Sequence, residues 1–186
     1  FSSTSTAQAQ FMLNETETVL FLVGEQEQYD VATQLFDNVP TLRKIIAFDP
    51  LVDFNGNVNA SSFSGFLESG RDGNWKEKLR NVSIEAQDED LCTIIYTSGT
   101  TGEPKGVMLT VANFRHCVRI HDLRINISDQ DVSLCFLPLS HIFERGWTFI
   151  VLSKGMTSYY LRNPKEVVDA VKVVKPTLMC SVPRFF

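Results

Sequence analysis

The sequence has no apolar run approaching the ~20 residues that a membrane-spanning helix requires. Its opening stretch, FSSTSTAQAQ, is polar and lacks the basic start and apolar block of a signal peptide. Positive charge is also short. Lys and Arg number 17 against 22 Asp and Glu, and the net charge of -5 gives no electrostatic footprint for nucleic acid. Cysteine is sparse: Cys92, Cys117, Cys135 and Cys180 are the four, and none forms a CxxC pair. Three of them sit in apolar, strand-like runs, so free buried thiols in a reducing compartment are expected rather than disulfides or zinc. His116, His121 and His141 show no metal-ligand spacing with them. Internal repeats and low-complexity tracts are absent. Four N-x-S/T sequons, at Asn14, Asn59, Asn81 and Asn126, are too short a pattern to count without secretion.

What is present is a series of short apolar runs: VLFLV (19–23), KIIAF (44–48), LCTIIY (91–96), LCFLPL (134–139) and TLMCSV (177–182). Runs without alternation predict strands buried on both faces, as in a mostly parallel sheet with flanking helices. Helical patterns lie between them. The stretch 26–39 links the first two runs at βαβ spacing. Over 114–125, Phe114, Cys117, Val118, His121 and Ile125 share one stripe, with Thr110 as N-cap and His121 at the edge of the core. Over 163–176, Asn163 caps, Pro164 suits the first helical position, and Val167, Val168, Val171 and Val174 form a buried stripe ended by Pro176. Residues 49–90 are turn-rich and acidic and predict an irregular surface excursion with a short helix at most. The class is therefore α/β.

The stretch YTSGTTGEPKG (96–106) carries the chemistry. Gly99, Gly102 and Gly106 let the main chain approach a ligand closely. Successive backbone N–H groups can form an anion-binding concavity. Thr97, Ser98, Thr100 and Thr101 add hydroxyls, and Lys105 adds a point charge suited to phosphate. These are the parts of a triphosphate cradle. The order differs from a P-loop, in which the lysine runs straight into a helix. Here Pro104 precedes Lys105 and VML follows, so the loop is expected to join two extended segments.

YTSGTTGEPKGV resembles the phosphate-binding signature of the acyl-adenylate-forming superfamily, and LPLSHIFERGW (137–147) resembles its next core motif in the long-chain fatty acyl-CoA synthetase form. PTLMCSVPRFF is similar to the strand and turn that follow in that group. The resemblance runs from about Ser3 to Phe186. It implies a layered α/β N-terminal domain, of which residues 1–186 would be a part lacking its start, its C-terminal half and the small C-terminal domain. It further implies activation of a carboxylate with ATP and Mg²⁺, then acyl transfer to coenzyme A. Residues 97–105 would hold the β- and γ-phosphates, Thr97 matches a position associated with Mg²⁺, and His141 matches the position beside the acyl carboxylate. Where relatives commonly have histidine after GVMLT, this chain has Val111.

The implied chemistry is physically coherent. Carboxylate attack on ATP removes no proton, so no acid–base dyad is required, and a pentavalent phosphorus needs positive charge and aligned donors. Pro138 ends an apolar run just before His141, and open α/β sheets bind ligands at strand carboxyl ends. Phe143, Trp147 and Phe149 are expected in the core, with Glu144 and Arg145 as a structural pair. Two rivals stand beside the long-chain reading. One is a ligase for aryl or short-chain acids or an adenylation domain. The other is a non-catalytic nucleotide- or lipid-binding protein. A cytoplasmic location is expected; contact with a membrane surface suits a lipid substrate, although no basic amphipathic helix or lipidation motif encodes it.

Overall fold

The computed structural model describes residues 4–71, 73–97 and 104–185. They fall into two compact units, one running through Glu85 and the other comprising Ala86–Thr97 with Lys105 onward.

The first unit is built on a parallel sheet of order β1 (Leu20–Val23), β2 (Lys44–Ala47), β3 (Ala60–Ser62). Helix α1 (Thr6–Glu15) starts where Ser5 and Gln8 cap each other reciprocally. Helix α2 (Gln26–Phe36) makes the β1–β2 crossover and buries Tyr29, Ala32 and Leu35, one helical stripe. These pack with Val23, Val39, Leu42, Ile45 and Ala47. The Tyr29 ring meets Phe54 edge-on at 5.3 Å, and its hydroxyl donates to the Phe54 carbonyl at 3.2 Å.

Two expectations need correction here. Leu20 and Leu22 are exposed while Val23 is buried, so β1 covers one face only. The segment 49–90 is also more ordered than its turn-rich sequence predicts. It supplies β3, then α3 (Phe63–Ser69) capped by Ser62, then α4 (Trp75–Glu85). Asn74 and Glu77 hold the start of α4 together, and the Asn74 carbonyl receives the Lys78 N–H. An Asn with Glu three residues on is a helix-start signal that was present in the sequence.

The second unit opens with an antiparallel hairpin, β4 (Leu91–Thr97) and β5 (Lys105–Thr110), so the sheet system is not parallel throughout. Leu91 pairs with Thr110 and Thr93 with Leu109, which leaves Cys92 as the extra residue of a β-bulge. Cys92 is exposed, as is Leu91, contrary to burial on both faces. Helix α5 (Val111–Asp122) begins at Thr110, whose N–H donates to Asn113 Oδ1 at 2.8 Å. The acidic run before β4 anchors the start of that helix. The Asp90 and Asp88 carbonyls accept the Val111 and Ala112 N–H groups, and Asp88 pairs with Arg115. His121 sits at the core edge with Nδ1 2.8 Å from the Cys117 carbonyl.

Strand β6 (Val132–Cys135) leads into α6 (Ile142–Lys154), and α6 returns to β7 (Thr157–Tyr160), parallel to β6. Gly155 ends α6 in the left-handed conformation, φ 68°, with its own N–H and that of Met156 satisfying the last carbonyls. Asn163 caps a 3₁₀ turn (Pro164–Glu166) that continues into α7 (Val167–Val174). Val167 is buried, but Val168 is exposed. Leu178 then bridges Ser133 in parallel. The core joins Ile127, Cys135, Trp147, Ile150, Val151 and Cys180, and buried Trp147 donates to Ser133 Oγ at 2.8 Å. Among the described residues no helix is long and apolar enough to cross a membrane.

Candidate functional site

The β4–β5 ladder sets the flanks of the glycine-rich loop. Tyr96 pairs with Gly106 and Thr97 with Lys105, so the two loop ends stand side by side with exposed side chains on Thr97 and Lys105. The loop joins two extended segments, as Pro104 predicts, and the next helix begins only at Val111. Ser98, Gly99, Thr100, Thr101 and Gly102, the remaining cradle candidates, lie outside the described residues. Gly106 also lies close against neighbouring side chains of the ladder. A Cβ there would lie 3.0 Å from Ile94 Cγ2 and 3.2 Å from Tyr96 Cζ, a tight approach that those side chains would have to relax by a few tenths of an ångström to admit.

His141 is the N-cap of α6, in extended backbone, after the 136–140 link from the carboxyl end of β6. Its N–H donates to the Pro138 carbonyl at 3.0 Å, and its carbonyl accepts the Arg145 N–H at 3.1 Å. Main-chain contacts thus hold it at the strand end, where such sheets bind ligands.

Glu144 and Arg145 do not pair. Neighbours in a helix point about 100° apart and cannot face each other. Arg145 Nε donates to the Leu139 carbonyl at 2.9 Å, and Nη1 donates to Thr93 Oγ1 at 2.6 Å. Glu144 turns inward and is 1% exposed, and neither carboxyl oxygen has a partner in good hydrogen-bond geometry, although the Cys135 thiol and the Leu137 backbone lie close enough to act on its charge. Burial pushes its carboxyl up; the nearby Cys135 thiol and Leu137 backbone pull it partly back. Burial likewise raises the Cys135 and Cys117 thiols and pushes Cys180 up to about 12. These thiols are poor nucleophiles. Of the three aromatics expected in the core, only Trp147 is buried. Phe143 is exposed, and Phe149 leans on Phe114 with ring centroids 4.3 Å apart. The sequence reading missed the bracing role of Arg145, for which HIFER offered no signal beyond a charge at a helix start.

Among the described residues no group of three or more His, Cys, Asp or Glu is placed to hold a metal. Thr97 instead offers one exposed hydroxyl beside Lys105, an oxygen donor of the hard type that Mg²⁺ takes. A single protein ligand suits an ion that keeps most of its waters or bridges phosphates.

The chain is similar to known proteins in sequence and in fold. Long chain acyl-CoA synthetase 2 of Arabidopsis thaliana is 30% identical over 184 residues, covering 95% of this chain and 28% of that protein. The peroxisomal long chain acyl-CoA synthetase 7 of the same plant is 39% identical over 155 residues, covering 80% of this chain and 21% of the relative. The chain therefore spans between a fifth and a third of these relatives. A red-emitting luciferase from Phrixothrix hirtus shares the fold, with a TM-score of 0.76 at 16% identity, over 98% of this chain and 35% of the luciferase. The profile of the AMP-binding enzyme family matches residues 1–186, and the chain belongs to that family.

Proposed function

We propose that the full-length protein activates a long-chain fatty acid with ATP to acyl-AMP and then passes the acyl group to coenzyme A. The observation that carries this reading is the Thr97–Lys105 register pair, which sets a hydroxyl and an ammonium at the two ends of the glycine-rich loop. Both relatives described above are long-chain acyl-CoA synthetases by name, and this supports the choice of acid. Because the chain covers 28% of the first of them, the activity is proposed for the full-length protein and not for residues 1–186 alone.

In the first step a carboxylate oxygen bonds to the α-phosphorus, the bond to the β-phosphate bridge breaks, and pyrophosphate leaves. Lys105 holds the terminal phosphates and takes up charge on the departing group. His141, fixed as the α6 cap, orients the carboxylate. Mg²⁺, held in part by Thr97, would neutralise phosphate charge. In the second step the coenzyme A thiol attacks the acyl carbonyl, its proton passes to solvent, and AMP leaves.

The test is ATP–pyrophosphate exchange by the full-length protein across acids from acetate and benzoate to palmitate. Palmitate is expected to drive exchange best. Lys105→Ala and His141→Ala are each expected to lower the rate on the order of 10²-fold. Exchange with aryl or short acids would discard the long-chain substrate. No exchange with any acid, from a folded protein, would favour a nucleotide- or lipid-binding role.

A further inference from the structure

Arg145 occupies the first turns of α6, four residues after the cap His141. A cation there opposes the positive end of the helix dipole, so helix stability does not account for it. It also makes its two side-chain bonds to neutral acceptors, the Leu139 carbonyl and the Thr93 hydroxyl. Leu139 belongs to the link that carries His141. Thr93 belongs to β4, the strand that runs into the phosphate loop. Thr93, Ile95 and Thr97 alternate onto one face of β4, and Thr93 to Thr97 spans about 13 Å at strand rise. One guanidinium thus joins the strand that carries Thr97 to the link that carries His141.

We propose that Arg145 is a positioning residue: its planar fork fixes β4, and with it Thr97 and its register partner Lys105, relative to the 136–140 link and His141. The inference rests on the adenylation reading above. In that reaction the carboxylate oxygen must meet the α-phosphorus in line, and a misplacement of about 1 Å costs on the order of 10²-fold in rate. Arg145 touches neither reactant. It acts on turnover by keeping two half-sites in register. Lysine cannot replace it, because an ammonium on a flexible stem does not hold both acceptors in one plane.

The experiment measures ATP–pyrophosphate exchange by the full-length protein with the acid that serves wild type best. The variants are Thr93→Val, Thr93→Ser, Arg145→Lys, Arg145→Met and Thr93→Val/Arg145→Met, with a melting temperature for each. Thr93→Val and Arg145→Met are expected to lower kcat by about tenfold or more, with little change in KM for acid or ATP. Thr93→Ser keeps wild-type turnover, and Arg145→Lys does not. The double variant is no slower than Arg145→Met, because both changes break the same bond. Additive losses, a Thr93→Ser as slow as Thr93→Val, effects confined to KM, or losses that follow melting temperature would each overturn the inference. Wild-type exchange with additive losses sinks this inference alone. Absence of wild-type exchange with every acid sinks the adenylation reading and this with it.

Discussion

A single buried carboxyl contributes a distinct component to the pH response of the second unit. Glu144 is buried with no well-formed hydrogen bond to its carboxyl, and desolvation raises its pKa more than the nearby Cys135 thiol and Leu137 backbone lower it. The folded chain therefore retains a proton that the unfolded chain releases near the ordinary value of 4.5. Stability contributed by this site is complete below that pH. It falls as pH rises and levels off past the folded pKa. Thermal melts of wild type and Glu144→Gln across pH check this. Gln is expected to remove the fall and to melt higher near neutrality. Equal pH slopes for the two proteins would show that Glu144 is ionised in the fold at little cost. Nothing in the letters HIFER announces which of Glu144 and Arg145 turns inward. Helix phase decides it, and phase depends on where α6 starts.

Elements whose ends are set by local chemistry are legible in the sequence, and elements defined by tertiary packing are not. The βαβ start, the Thr110 cap, the Asn163 cap and the extended flanks of the glycine-rich loop are set by local chemistry, and each appears as expected. Helix α4 is hard to see in the sequence because turn residues crowd 49–60 and acids fill 85–90, although Asn74 and Glu77 mark its start. Exposure of Leu20, Leu22, Cys92 and Val168 was not legible, because an apolar run looks the same whether one face or two are covered. The candidate site was legible as a motif, since its eleven residues combine glycine, hydroxyls and one lysine. Its brace from Arg145 to Thr93 spans 52 positions in sequence and was not legible. At this scale the C-terminus of α6 makes a sharp prediction. Gly155 has φ 68°, and an added Cβ would meet only Asp129 Cβ at an ordinary 3.8 Å. Gly155→Ala should therefore destabilise through backbone strain alone, by about 1 kcal/mol. Chemical denaturation checks it; a larger loss would mean that packing also suffers.

For the molecule as a whole, the four cysteines report on burial without a structural probe. Cys92 is exposed on the β4 bulge, Cys117 is half-buried, and Cys135 and Cys180 lie in the core of the second unit. Brief alkylation of the full-length protein, followed by peptide mapping, should label Cys92 first. Cys135 and Cys180 should react only on unfolding, since burial both hides them and keeps them protonated. Rapid labelling of Cys180 in the native protein would show that the core opens more readily than its packing implies.

The bulge at Cys92 bears on how this hairpin tolerates changes of length. Side chains alternate faces along a strand, so losing one residue between Thr93 and Thr97 would turn every later β4 side chain to the opposite face. Cys92 is already the surplus residue. Its deletion would straighten the ladder at Leu91 and leave the Thr97–Lys105 pairing untouched. The hairpin thus holds one dispensable residue at the end remote from its chemistry, and length variants at that end should keep the lysine in place.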